Sequence, residues 1–144
     1  MKILILNGPN LGRLDIRDSK YYGDLSWEQL KEFISKSAAD LGLSIDIRQS
    51  DDEATIVKWL HEAADQSLPV IINPAAFTHY SIAIHDAAEM VKSPLIEVHL
   101  SNPLAREDFR HTSVISGVAQ GTISGFGPNS YKLALIAMQS LISN

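Results

Sequence analysis

The chain has 144 residues, 45% of them hydrophobic and 20% charged, with no cysteine. That length suits one domain able to bury roughly 70% of its unfolded surface, so the core needs no disulfide, and thiolate zinc sites are excluded. Lys and Arg number 12 against 17 Asp and Glu, a formal charge of −5; this argues against nucleic acid or an anionic membrane as the main partner.

The expectation is a single cytoplasmic domain over residues 1–144, since no apolar run reaches the ~18 residues of a membrane span. Residues 3–6 open the chain with an apolar run suited to a strand buried on both faces. Residues 8–25 then lack either period and predict a long loop, with about 11–24 as a candidate lid. Ser26, with Gln29 at capping-box spacing, starts a helix that carries Trp27, Leu30, Ile34 and Leu41 on one face and stops at Gly42. Residues 44–48 alternate Ile45 and Ile47 with polar neighbours, as an edge strand does.

Ser50 and Glu53 repeat the capping box ahead of Ile56, Val57, Leu60 and Ala64. Runs at 70–72 and 95–100 predict two more buried strands, with a helix over about 79–91 between them. Residues 101–116 read as a second irregular stretch, and residues 118–123 as a fifth strand. The last helix, about 129–142, is apolar nearly all round, as a buried or interface helix would be. This alternation implies an α/β three-layer sandwich: a five-stranded parallel sheet with helices on both faces, in flavodoxin-like order.

In such a sheet, ligands bind beyond the carboxyl ends of the strands. Those ends read Asn7-Gly8-Pro9-Asn10, Ser50-Asp51, Asn73-Pro74, His99-Leu100-Ser101-Asn102 and Ser124-Gly125. Arg13 and Arg17 lie in the first long loop, and Arg106 and Arg110 in the second. Their planar forks suit carboxylates and phosphates, so an anionic small molecule is favoured over surface pairing with Asp15, Asp18, Glu107 and Asp108. His79 and His99 end the third and fourth strands near Asn73, whereas His61 and His85 read as helix-face residues. No three ligands stand at metal spacing, so no metal site is expected. On residue type alone, Tyr22 would anchor its loop against the next helix.

Taken together, Asn7-Gly8-Pro9-Asn10-Leu11, Arg17 followed by Tyr22-Gly23, Asn73-Pro74 with Thr78-His79, and Glu97-Val98-His99-Leu100-Ser101-Asn102 with Ala105-Arg106-Glu107 and Phe109-Arg110-His111 closely resemble type II 3-dehydroquinases. The resemblance spans nearly the whole chain. It implies a flavodoxin-like fold and a homododecamer built as a tetramer of trimers. It also implies cofactor-free anti elimination of water from 3-dehydroquinate, through an enolate, to 3-dehydroshikimate in the shikimate or quinate pathway.

By the same resemblance, Tyr22 would remove the C2 proton and Arg17 would favour its phenolate, with Arg106 in support. Asn10 would help hold the enolate through water, and His99, oriented by Glu97, would protonate the leaving C1 hydroxyl. Asn73, His79, Arg110 and the backbone of Leu100 and Ser101 would hold the substrate's hydroxyls and carboxylate. Asp86 would reach the site from or near a neighbouring subunit. Bringing any tyrosine from a reference pKa of about 10 to about 7 takes ~4 kcal/mol, roughly what one guanidinium at ~4 Å supplies at an effective dielectric of ~20.

The family's usual Leu-Gly-x-Arg-Glu-Pro lid reads Leu14-Asp15-Ile16-Arg17-Asp18-Ser19 here, and a Gly common after Asn-Pro is Ala75. The common Asn-His-Glu-Gly reads Asp51-Asp52-Glu53-Ala54, and a frequent His is Leu104. The altered lid keeps a poorly active paralogue as the narrower alternative.

Two rivals from other classes share the architecture. A phosphoacceptor receiver module needs an acidic pair after the first strand, an Asp after the third and a Lys after the fifth, where this chain has Asn7 to Asn10, Asn73 and Ser124-Gly125. A flavin or dinucleotide carrier has only Gly125-Phe126-Gly127 as a phosphate-loop echo. Those glycines are expected to serve packing or a turn.

Overall fold

Ile3, Leu4, Ile5 and Leu6 are all fully buried, because the strand that carries them lies inside a sheet covered on both faces. The computed structural model describes residues 1–143. Its five strands are β1 (Lys2–Asn7), β2 (Ser44–Gln49), β3 (Val70–Asn73), β4 (Leu95–His99) and β5 (Gly121–Ser124). All are parallel, in the order β2-β1-β3-β4-β5. That is the flavodoxin-like order expected, with the alternating strand β2 at an edge.

The helices are α1 (Ser19–Tyr22), α2 (Trp27–Asp40), α3 (Glu53–Gln66), α4 (Ile82–Met90) and α5 (Asn129–Ile142). One face of the sheet packs on α2 and α5 through Leu30, Ile34, Tyr131 and Leu135. The other packs on α3 and α4 through Ile56, Leu60, Ile84 and Ala88. Helix α5 keeps part of its apolar surface outward, with Leu133, Ile136 and Leu141 exposed.

Several boundaries differ from the sequence expectation. The Ser26–Gln29 capping box forms in full, but Ser50 and Glu53 do not make one. Asp52 caps α3 instead, accepting from Ala54 N–H, while Ser50 Oγ accepts from Asp52 N–H at 2.9 Å. Glu53 reaches across to accept from Ser81 Oγ at 2.6 Å, and that hydroxyl also caps α4. Because Ser81 supplies this cap, α4 starts at Ile82, and the chain before it closes into a 3-10 turn, Ala75–His79.

The fifth strand likewise starts at Gly121, after a 3-10 turn at Ser116–Val118. Both stretches read as irregular hold short helices. The first contains Leu11–Ile16 and α1, and the second contains Pro103–Ala105 and Asp108–Arg110. Turns this short present no apolar period of their own.

Two backbone features set the cleft floor. A Cβ on Gly8 would stand 2.5 Å from the Pro74 carbonyl oxygen, so only glycine lets the ends of β1 and β3 approach this closely. Ala75 has φ of 53°, a left-handed conformation held by its N–H donating to Asn73 Oδ1 at 3.1 Å. A methyl in that region costs roughly 1–2 kcal/mol, part of which glycine returns through its freer unfolded chain. Ala75→Gly is therefore expected to stabilise the protein by about 0.5–1 kcal/mol in chemical denaturation; a loss of stability would show that the turn is unstrained.

Candidate active site

The carboxyl ends of β1, β3 and β4 converge on one cleft. Its wall takes Asn10 from the β1 loop, Asn73 and His79 from β3 and its turn, and His99, Leu100 and Ser101 from β4 and beyond. Arg17 and Tyr22 enter from the first long loop, and Arg106 and Arg110 from the second. The ends of β2 and β5 do not line it. There Asp51 Oδ1 accepts from Asn10 N–H at 2.9 Å, fixing the loop rather than meeting a ligand. Gly125, with φ of 95°, makes a turn against Asn102, the packing role expected for it.

Tyr22 is buried through its ring and polar at its tip. The ring joins the core with Leu11, Leu14 and Leu30, so it anchors its loop against α2. Its oxygen accepts from Arg17 Nη2 and, at 2.6 Å, from Arg106 Nη1. The Arg17 guanidinium also lies 3.8 Å from the Tyr22 ring centroid. The Arg106 guanidinium sits 4.2 Å from the Tyr21 ring centroid, so both tyrosines brace the cation pair.

The residues between Arg17 and Tyr22 make this geometry. Asp18 caps the single turn α1 by accepting from Lys20 N–H at 3.0 Å, which brings the Tyr22 oxygen back to Arg17. Ser19, in place of the family's Pro, occupies the first position of that turn, where a missing N–H costs nothing.

Burial pushes the Arg17 guanidinium below its ordinary range; the Tyr22 oxygen opposes this, while Arg106 and Arg110 add to it. Three cations in one cleft repel one another unless an anion joins them, which suits an anionic ligand. Arg13, expected to share the cleft, does not. It forks onto Asp15 at 3.1 and 3.2 Å on the exposed side of the loop, where the aspartate competes for it locally. Arg110 does line the cleft while also pairing with Glu107 at 3.1 Å.

The two histidines are held differently. His79 Nδ1 lies 2.8 Å from the Thr112 carbonyl oxygen, which can only accept, so Nδ1 carries a proton. His99 Nε2 meets Glu97 Oε2 at 2.5 Å, which leaves Nδ1 as the nitrogen without a protein partner. Glu97 is fully buried behind His99, outside the cleft itself.

Its carboxylate accepts from the hydroxyls of Thr78, Ser113 and Ser116 as well as from His99. Burial alone would raise the Glu97 pKa, but His99 and the hydroxyls of Ser116 and Thr78 outweigh it and hold the carboxyl below its ordinary range. Thr78 stood in a matched motif without an assigned role, and Ser113 and Ser116 escaped the sequence reading. The only signal of these two was a pair of hydroxyl residues at the end of a segment that looked irregular.

Behind Asn73 lies a second buried set. Asn73 Nδ2 donates to the Tyr131 hydroxyl at 2.9 Å, and that hydroxyl donates to Asn7 Oδ1 at 2.6 Å. Burial raises the Tyr131 pKa, with only Asn73 opposing it, so the phenol stays protonated. Asp86 stands apart, exposed on α4 and 3.0 Å from His85 Nδ1. It does not line the cleft. Among the described residues no three His, Asp or Glu side chains gather as a metal would need, and no helix is long and apolar enough to cross a membrane.

Residues 1–139 match the family model described as dehydroquinase class II. The chain is 51% identical over 135 residues to the 3-dehydroquinate dehydratase of Salinispora tropica, covering 94% of each chain. It is 45% identical over 139 residues to 3-dehydroquinate dehydratase 1 of Agrobacterium fabrum, covering 96% of each. The crystal structure of a type II dehydroquinase from Propionibacterium acnes superposes with a TM-score of 0.94 at 47% identity, covering 96% of each chain.

Proposed function

The chain belongs to the class II dehydroquinase family, and from that premise we propose that it is a type II 3-dehydroquinate dehydratase, a hydro-lyase acting in the shikimate or quinate pathway, with Tyr22 and His99 as its base and acid. The observation that carries this reading is the Tyr22 oxygen held between the Arg17 and Arg106 guanidiniums at the wall of a cleft that also contains His99. Both guanidiniums donate to the one phenol oxygen and face the negative charge that a base carries there.

The Tyr22 phenolate takes a proton from C2 of 3-dehydroquinate, and the electron pair moves into the C2–C3 bond to give the enolate. The enolate oxygen is held through water by Asn10. As the carbonyl re-forms, the C1–O bond breaks and His99 Nδ1 gives its proton to the departing hydroxyl, releasing water and a conjugated enone. The Glu97 carboxylate, against Nε2 of the same ring, fixes the ring and faces the charge it carries when it makes this donation. Asn73, His79, Arg110 and the backbone at Leu100 and Ser101 hold the hydroxyls and carboxylate. The three cations offset the substrate's charge.

For the assembly, we propose the homododecamer of the family, a tetramer of trimers working in the cytoplasm, in which Asp86 meets the cleft of a neighbouring copy. Exposed apolar residues around it, Ile82 and Met90 on the same helix and Tyr80 just before it, support a contact there.

The test follows the enone by ultraviolet absorbance after mixing metal-stripped protein with 3-dehydroquinate, with and without borohydride pretreatment. Turnover that survives both treatments supports the enolate route without a lysine Schiff base. Tight binding without turnover would instead indicate the poorly active paralogue. In the same assay Arg17→Ala is expected to lower kcat roughly tenfold to fiftyfold, because Arg106 remains as the second donor. It should also move the limb of the pH profile that reports the base to higher pH. An unchanged profile would mean that Arg106 alone sustains the phenolate.

A further inference from the structure

We propose that Tyr131 and Asn7 are positioning residues that fix which end of the Asn73 amide the substrate meets, so that the cleft presents a hydrogen-bond donor there and selects a substrate oxygen that accepts. This rests on reading the cleft as that of a dehydroquinase.

The polarity can be followed from one end of the buried set to the other. Asn7 Nδ2 lies 3.0 Å from the Arg48 carbonyl oxygen and 3.3 Å from that of Ile5. Carbonyls only accept, so both Asn7 amide hydrogens point to them and Oδ1 is turned away as an acceptor. The Tyr131 hydroxyl has one hydrogen, and it goes to that Oδ1 at 2.6 Å. The Tyr131 oxygen must therefore accept from Asn73, whose Nδ2 stands 2.9 Å away.

The same orientation follows from the opposite side, because Asn73 Oδ1 accepts from Ala75 N–H at 3.1 Å. A flipped Asn73 would set two donors against each other at Ala75, and a flipped Asn7 would set three oxygens together. With one Nδ2 hydrogen given to Tyr131 and Oδ1 taken by Ala75, the second N–H of Asn73 is what remains for the cleft that Asn73 lines.

Tyr131 reaches this point from α5, which packs on one face of the sheet. It is fully buried, as is Asn7. Neither touches the cleft, so their influence on substrate passes through Asn73. Without the Tyr131 hydroxyl, the facing groups are Asn73 Nδ2 and Asn7 Oδ1, a donor and an acceptor that attract each other. Asn73 is then drawn back from the cleft wall.

The experiment is a double-mutant cycle on the full-length protein, read as kcat and KM for 3-dehydroquinate. Tyr131→Phe is expected to raise KM about tenfold while kcat falls less than threefold, one hydrogen bond's worth of substrate binding. In an Asn73→Ala background, Tyr131→Phe should change KM by less than twofold, because the residue through which it acts is gone. A KM unchanged by Tyr131→Phe, or the same tenfold rise in both backgrounds, would overturn the proposal. Absence of wild-type turnover would remove the dehydroquinase reading and this inference with it.

A second measurement needs no variant and holds even if Tyr131→Phe does not fold. In wild-type protein labelled at asparagine nitrogen, one Asn73 side-chain proton should shift as 3-dehydroshikimate is added, and the other, bonded to Tyr131, should stay. Movement of both, or of neither, contradicts the assignment.

Discussion

Tyr22→Phe is expected to lower kcat at least about a thousandfold while 3-dehydroquinate still binds within a few-fold of the wild-type affinity, as measured by calorimetry. The change removes one oxygen. The ring keeps its place among Leu11, Leu14 and Leu30, and Arg17 and Arg106 stay in the cleft with the charge that attracts the substrate. What is lost is, among the described residues, the only group in the cleft placed between two guanidiniums and able to carry a negative charge. Binding and turnover should therefore separate cleanly. A variant that keeps a tenth of the activity would assign the base to another residue.

Glu97→Gln is expected to have the second-largest effect, a fall in kcat on the order of a hundredfold, because His99 loses the carboxylate that fixes its ring through Nε2 and faces its charge. The amide also meets hydroxyl donors from Thr78, Ser113 and Ser116 that were arranged around a carboxylate. Leaving such buried groups mismatched costs about 1–3 kcal/mol, so the variant should be measurably less stable at neutral pH.

The pH dependence of this loss has a definite sign. The native fold holds the Glu97 carboxyl below its ordinary range, so the folded state binds its proton less readily than the unfolded chain does. The stability that follows is present above the usual carboxylate pKa of about 4.3 and is lost as pH falls through the lower native value. Denaturation of wild type should therefore show a loss below about pH 4 that is smaller in Glu97→Gln. Parallel curves would mean that Glu97 does not contribute to acid sensitivity.

Much of this arrangement was legible in the sequence because it rests on periodicity and on the topology of parallel sheets. The unbroken apolar run of β1 marked a strand covered on both faces, and the alternation of Ile45 and Ile47 marked an edge. Once the strand order is flavodoxin-like, the carboxyl edge gathers Asn10, Asn73 and His99 without further information. Their placement in one cleft needs no knowledge of side-chain contacts.

Arg13 shows where the reading failed. Its loop position matched that of Arg17, but Asp15, two residues on, captures it outside the cleft. A local ion pair of that kind depends on the turn between the two residues, and a 3-10 turn has no sequence period. The same gap hid the cap switch at Asp52 and the late start of α4, both decided by side-chain hydrogen bonds that compete on equal terms with the expected ones. The Glu97 hydroxyl cage and the Tyr131 set lay deeper still. They join residues up to 124 positions apart, and Tyr131 sits in a helix whose other buried residues are mostly apolar.

The measurement that bears most directly on the division of labour between Tyr22 and His99 is hydrogen exchange at C2 of 3-dehydroquinate, followed in heavy water with the two single variants. If Tyr22 removes the proton and His99 acts only on the departing hydroxyl, His99→Ala should form little enone. It should still exchange the C2 hydrogen faster than the uncatalysed background, while Tyr22→Phe exchanges none above it. Exchange that persists in Tyr22→Phe, or that disappears in His99→Ala, would contradict the assignment of base and acid.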